Sequence, residues 1–424
     1  MRKHGLKLAV VSAMRANPDF SKLQLLNAPS EREARAFLRW LDQSGLTLYL
    51  FWQLRKNGVF ETIPMWLRSH LRNAFASNCR RTKAMLSDFA RVNEALRRRG
   101  IHHAFLKGFT LTPDFCPAPE LRHQSDIDVL ISPEAVEQTR SAILDIGYSL
   151  ERKLQGGEIY FSTKLTRMPS ADDNVYRVDY QKEIELHTSI WEEVAHVSLR
   201  FPGDCLDRTR ERHLTGMTVA SLSLDDAIIV QILHAFRHFL SSWVRLSWLW
   251  EIHYFLSHHA EDTLLWIAVR DGSRDDPSLR SAFGFILRLT NRLFASPIPQ
   301  VLQEWCVDSL PNSINCWVVE FGIRWALSEI AGSKLSLFIH KEFVRDTGTW
   351  RSYLWRRLVP LAGKASLVKA GSSHAKMPIR FKISHRIFQA TRFAFHAKSF
   401  VSLPYELWRW KRALHGLKTA AIAD

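Results

Sequence analysis

Three observations predict an α+β protein in which a mixed β-sheet module is set between N- and C-terminal helical regions. Apolar residues recur at three- and four-residue steps up to about residue 100. Short apolar runs bounded by turn residues follow it, and the helical period returns from Leu222. The resulting organisation is a helical region over 1–100, an α+β module over 101–215, a helical domain over 216–340 and a basic, aromatic-rich region over 341–424.

In the first region Leu67, Leu71, Phe75, Met85, Phe89, Val92 and Leu96 form one apolar stripe. Arg97-Arg98-Arg99-Gly100 then ends the helix, with cations in its last turn and glycine just past it. His102 to Leu106 and Asp126 to Ile131 read as strands. Ser132-Pro133-Glu134 is a helix start, with a hydroxyl at the cap, proline first and an acid in the first turn, and Gly147 closes that helix. Tyr148 to Leu150, Ile159 to Phe161 and Val175 to His187 read as further strands, with turns at Gly156-Gly157 and from Pro169 to Asn174. Asp225-Asp226 open the next long helix, through Ile228, Ile232, Phe236 and Leu240.

With 424 residues, 46% apolar and 24% charged, the chain is not disordered, collagen-like or a disulfide miniprotein. Its five cysteines are an odd number with no C-x-x-C pair, which argues against a disulfide framework or structural zinc and for a reducing compartment. The run Leu8 to Val11 is broken by Ser12 and reads as an ordinary helix start rather than a leader. No stretch approaches roughly 18 uninterrupted apolar residues, so a cytoplasmic protein with no transmembrane segment is expected. The net charge of +16 is uneven: residues from Lys341 onward hold 17 basic and 4 acidic side chains, leaving the first 340 residues at only +3. That basic end, with Arg356-Arg357 beside Trp355 and Lys411-Arg412 beside Trp410, suits RNA or DNA, an anionic membrane surface, or packing on the helical domain to present cations to an acidic ligand.

Asp126 and Asp128 are the most informative pair. Two apart on a strand they share a face, about 7 Å apart along an exposed edge, while Ile127 and Val129 point to a core. Like charges held so repel each other, and a hard divalent cation removes the conflict. A solvated strand edge is the plain alternative. Three neighbours bear on the choice: Lys107-Gly108 at a strand end, where lysine gives a point charge and glycine lets backbone N–H groups approach phosphate; Glu185 on a later strand, with Glu183 on the same face; and Arg122, four residues before Asp126. Arg122 also suits an ion pair with Asp126 or Asp128 that merely holds the loop. His187 follows the Glu185 carboxylate and suits a place beside it as well as a hydrogen-bonded core position. His234 and His238, four apart on a helix, have a spacing that can bind zinc, but with no third ligand at a defined spacing they read as structural or substrate-facing. Trp243, Trp248 and Trp250 read as core and cleft lining, Asp172-Asp173 as a solvated turn.

The set Leu106-Lys107-Gly108, Arg122-x-x-Ser125-Asp126-Ile127-Asp128 and Glu185-Leu186-His187 resembles the nucleotidyltransferase superfamily, and within it a bacterial family of largely uncharacterised nucleotidyltransferases. His234-x-x-Arg237-His238 and Trp250-Glu251-Ile252 continue the likeness, which covers roughly residues 60 to 260. The resemblance implies a nucleotidyltransferase-like sheet and two-metal transfer of a nucleoside monophosphate from an NTP, such as ATP, to an acceptor hydroxyl, with Mg²⁺ or Mn²⁺. Asp126, Asp128 and Glu185 would hold the metals; Glu185 would also help activate the hydroxyl. Lys107, Gly108, Ser125 and Arg122 would handle the nucleotide. The chain departs from polymerase-like members in having Phe109, not serine, after Gly108, and in a longer span from Gly108 to Asp126. The rival expectation is an inactive module that binds through its basic tail.

Overall fold

The computed structural model describes residues 2–27, 29–153, 159–162, 174–179, 182–191, 193–201, 205–273, 276–328, 334–344, 346–358, 390, 394 and 397–416. The turns expected at Gly156-Gly157 and Pro169, and Asp172-Asp173, lie outside these residues. Helices α1 (Arg2–Ala13), α2 (Glu31–Ser44), α3 (Thr47–Lys56) and α4 (Met65–Arg98) precede the strands. The strands are β1 (His103–Phe105), β2 (Asp126–Ile131), β3 (Ser149–Lys153), β4 (Ile159–Ser162), β5 (Glu183–His187), β6 (Arg210–Leu214) and β7 (Met217–Ser221). Helix α5 (Val136–Asp145) lies between β2 and β3, and α6 (Leu224–Leu240), α7 (Leu246–His259), α8 (Thr263–Ser273) and α9 (Pro277–Phe294) follow the sheet.

The strands form one mixed sheet in the order β3-β4-β5-β2-β1-β7-β6. The expected α+β class with flanking helices is therefore present. Strand β2 lies at its centre, antiparallel to β1 and parallel to β5. This corrects one expectation, since the two aspartates do not stand on an exposed edge. One sheet face carries Ile127, Val129, Ile184 and Leu186 into a core with Met85, Phe89, Val92 and Leu96 of α4 and Ala142 and Ile143 of α5. The apolar stripe of α4 thus packs on the sheet. The opposite face has a smaller core, Leu106 and Leu130 against Val230 of α6, and bears the carboxylates beside it.

The stop of α4 is as its residues dictate. Gly100 takes φ +62°, Gly100 N–H donates to Arg97 O and Ile101 N–H to Leu96 O, so the last carbonyls are satisfied. Ser132, however, makes no capping hydrogen bond, and Pro133–Ala135 is a 3₁₀ turn that leads into α5. The strand expected from Val175 begins only at Glu183. Asn174 folds the start of that run into a turn, accepting from Tyr176 N–H through its side chain and from Arg177 N–H through its carbonyl. The β6–β7 hairpin was not expected. It closes on Thr215-Gly216, both with positive φ (47° and 82°), the two-residue turn whose twist suits antiparallel strands.

The described chain divides into two compact units. The first comprises 1–192, 199–236 and 244–309 and contains the whole sheet; the second comprises 193–198, 237–243 and 310–424. In the second, the helical segment 397–416 is held by Glu406, which accepts from both terminal nitrogens of Arg324, and by Trp410, stacked on Phe338.

Candidate active site

Strand pairing brings the predicted acids together. In the β2–β5 ladder Asp128 is directly opposite Glu185, and Asp126 opposite Glu183, so four carboxylates share one face across two neighbouring parallel strands. Asp128 is only 3% exposed. Its Oδ1 lies 3.0 Å from both Lys107 Nζ and His187 Nε2, and His187 Nε2 lies 3.8 Å from Glu185 Oε2. Asp128, Glu185 and His187 each bring a ligand atom within 4.8 Å of the others. His187, whose sequence position suited a core histidine as well as a place beside the carboxylate, is thus part of the cluster, two residues beyond Glu185 on β5 and opposite Leu130 of β2.

Electrostatics separate the two aspartates. Burial, reinforced by repulsion from Asp128, raises the Asp126 carboxyl above its usual range against the pull of Lys107, Arg122 and Arg245. Burial opposes ionisation of Asp128 as well, but Lys107 and His187 outweigh it and hold its carboxyl well below that range. Burial likewise disfavours the Lys107 ammonium, yet Asp128, Asp126 and Glu185 reverse the balance and raise it. One carboxylate is therefore firmly charged and paired, while the other resists ionisation. A divalent cation suits that contrast, because it favours the charged form of both. The donor set of carboxylate oxygens with one imidazole fits Mn²⁺ fully and Mg²⁺ through its oxygens.

The turn that delivers Lys107 depends on glycine. Gly108 is buried with φ +75°, and a Cβ there would come within 2.3 Å of Gln124 Nε2. Gln124 in turn donates to Asp126 O at 3.0 Å, which ties the turn to β2. The loop entering β2 is held from α4: Asn78 donates to Glu120 O and Arg122 O, and Arg81, 1% exposed, donates to Gln124 O and Arg177 O. Ser125, half-buried, accepts from Glu183 N–H through its carbonyl.

Arg122 does not pair with Asp126 or Asp128. Its Nε lies 3.0 Å from Glu251 Oε1 of α7, which also accepts from the Tyr49 hydroxyl at 2.7 Å. The reason is geometric: the loop is pinned to α4 while α7 presents a carboxylate that is 1% exposed and needs a cation. His234 faces the site, with Nδ1 3.4 Å from Lys107 Nζ and its ring edge-on to Trp248, whereas His238 packs on Trp243. Trp250 lies on the Tyr49 ring at 4.1 Å. Sequence reasoning gave no role to Glu251, Tyr49, Gln124 or Arg245. Of these only Glu251 lay in a motif, and nothing local pairs it with a residue 129 positions away.

Residues 30–295 match the model of a family described as an uncharacterised nucleotidyltransferase, a span wider at both ends than the motifs alone covered. No curated protein and no solved structure gives a significant match. The matched span includes every strand of the sheet, the Lys107 turn, Asp126, Asp128, Glu185 and Glu251. The chain belongs to this family of nucleotidyltransferases.

Proposed function

We propose that the protein transfers a nucleoside monophosphate from an NTP to an acceptor hydroxyl and releases pyrophosphate, with Mg²⁺ or Mn²⁺ held by Asp126, Asp128 and Glu185. The observation that carries this reading is the pairing of Asp128 with Glu185 across two parallel strands, beside Lys107 and His187. The bound ions would supply positive charge to the attacking and leaving oxygens of an in-line displacement at the α-phosphorus. Glu185 accepts the proton of the acceptor hydroxyl as its oxygen bonds to phosphorus and the bond to pyrophosphate breaks. Lys107 turns from Asp128 to the nucleotide's phosphates. Gly108 gives that lysine its turn, and Arg122, fixed by Glu251, sets the loop so that Ser125 and Asp126 face the nucleotide.

The test is transfer from α-labelled ATP, then the other NTPs, to components of a cell extract with Mg²⁺ or Mn²⁺. Wild type should label an acceptor and release pyrophosphate, and Asp128→Asn should lose at least a hundredfold in rate. Labelling that is equal in the variant overturns the reading.

A second reading concerns the tail, because segment 397–416 turns Val401, Tyr405 and Trp408 outward, each more than half exposed, with Arg412 over the Trp408 ring. Outward aromatics beside Lys411 and Arg412 suit the headgroup region of an anionic membrane. Full-length protein should sediment with phosphatidylserine vesicles in low salt and be released by about 0.5 M salt, with Trp408→Ala weakening retention. Equal retention on neutral vesicles would remove the electrostatic basis.

A further inference from the structure

Lys107, His234, Trp248 and Arg245 form a continuous row beside the carboxylates. Lys107 Nζ lies 3.4 Å from His234 Nδ1, the His234 and Trp248 ring centres are 4.5 Å apart, and the Arg245 guanidinium carbon stands 5.8 Å from the Trp248 ring centre. Two of the three cations around this row have a carboxylate. Lys107 has Asp128 and Arg122 has Glu251.

Arg245 is different. It occupies the cap position of α7, and its stem runs so close to Gly45 that a Cβ on Gly45 would come within 3.2 Å of Arg245 Cδ. Its Nε is buried with no hydrogen-bond partner among the described residues. The guanidinium makes no hydrogen bond or ion pair with any described residue; its contact is the face of Trp248. A guanidinium carries five N–H donors in a planar fork, and leaving it half-buried without an acceptor costs free energy. Burial, and then repulsion from Arg122, both work against its charge, and Asp126, though near enough to be felt, gives it no oxygen to bind. Such a group is suited to an anion that the described residues do not supply. The fork matches two oxygens of a phosphate, and the nearest chemistry is a carboxylate cluster suited to a metal-bound polyphosphate.

We propose that Arg245 binds phosphate oxygens of the nucleotide, or of the pyrophosphate product. The proposal rests on the nucleotidyl-transfer reading and deepens it by assigning a phosphate-binding residue outside every motif. The nucleotide's phosphates would thus meet two cations, an ammonium on the β1 turn and a guanidinium at the start of α7. Stacking on Trp248 keeps the fork in place before the ligand arrives.

The experiment is calorimetric titration of the full-length protein, wild type, Arg245→Gln and Arg245→Lys, with ATP, with pyrophosphate and with AMP, each with Mg²⁺. Thermal melts establish that each variant is folded. Arg245→Gln should bind ATP and pyrophosphate about tenfold or more weakly, and Arg245→Lys should fall in between, since it keeps the charge and loses the fork. Loss on pyrophosphate assigns Arg245 to the β- and γ-phosphates, and loss on AMP alone assigns it to the α-phosphate; either supports phosphate binding. Wild-type affinity for all three ligands in Arg245→Gln overturns the proposal and leaves the transfer reading standing. If wild type binds neither ATP nor pyrophosphate, the transfer reading fails and the proposal falls with it. Should Arg245→Gln not fold, the comparison of wild type with Arg245→Lys decides, with equal affinities counting against.

Discussion

Glu251 shows how much a single side chain can hold in this site. Its Oε1 accepts from both Tyr49 and Arg122, and its Oε2 is buried with no hydrogen-bond partner among the described residues. Burial disfavours the Arg122 charge, but Glu251 outweighs it and raises that guanidinium well above its ordinary value. Replacing the acid by its neutral isostere leaves a buried guanidinium facing a neutral amide, a loss on the order of 3 kcal/mol. Glu251→Gln should therefore lower the denaturant midpoint with little change in its slope, and reduce transfer because Arg122 no longer fixes the loop into β2. Stability equal to wild type would mean that Arg122 has found another anion, with Asp126 the near candidate. Tyr49→Phe removes only the neutral donor, so its cost should be smaller, about 1 kcal/mol.

At the level of elements, legibility followed from how local the determining contacts are. The stripe and stop of α4 were readable because a helix writes its buried face and its ends into neighbouring residues. Strand β2 was readable over its full length, Asp126–Ile131, because one face is apolar and the other acidic. Its place in the middle of the sheet was not, since partners are chosen by residues 20 to 60 positions away. Strand β6, Arg210-Glu211-Arg212-His213-Leu214, gave no apolar alternation because it lies at the sheet's end; only Thr215-Gly216 marked the hairpin. The run from Val175 misled for the opposite reason: valines and tyrosines at strand-like spacing are overruled by the Asn174 turn. The candidate site divides in the same way. Acids two apart on one strand announce a shared face, whereas Glu251 and Arg245 reach it from a helix whose own pattern reads as apolar.

Across the whole molecule, each compact unit buries a histidine that folding keeps neutral. His253, in the first unit, has Nδ1 2.9 Å from Ser296 Oγ; His340, in the second, donates from Nε2 to Ala195 O at 2.9 Å. Burial pushes both imidazoles down to about 4, against an unfolded value near 6.5. Because the folded values are depressed, the unfolded chain binds more protons between these limits. Stability from this source is fully present above pH 6.5, falls as pH drops toward 4 and levels off below that, by up to about 3 kcal/mol for each histidine. The formal charge of +16 worsens the case, since it already sets the compact state against itself. Denaturant midpoints at pH 7 and pH 4.5 should show the loss, and His253→Gln or His340→Gln should each reduce the difference between the two pH values. The reductions should appear separately if the units melt apart. An unchanged pH difference in both variants would mean that the acid sensitivity lies in other groups, such as His103 and His123, which burial also pushes down, or the carboxylates.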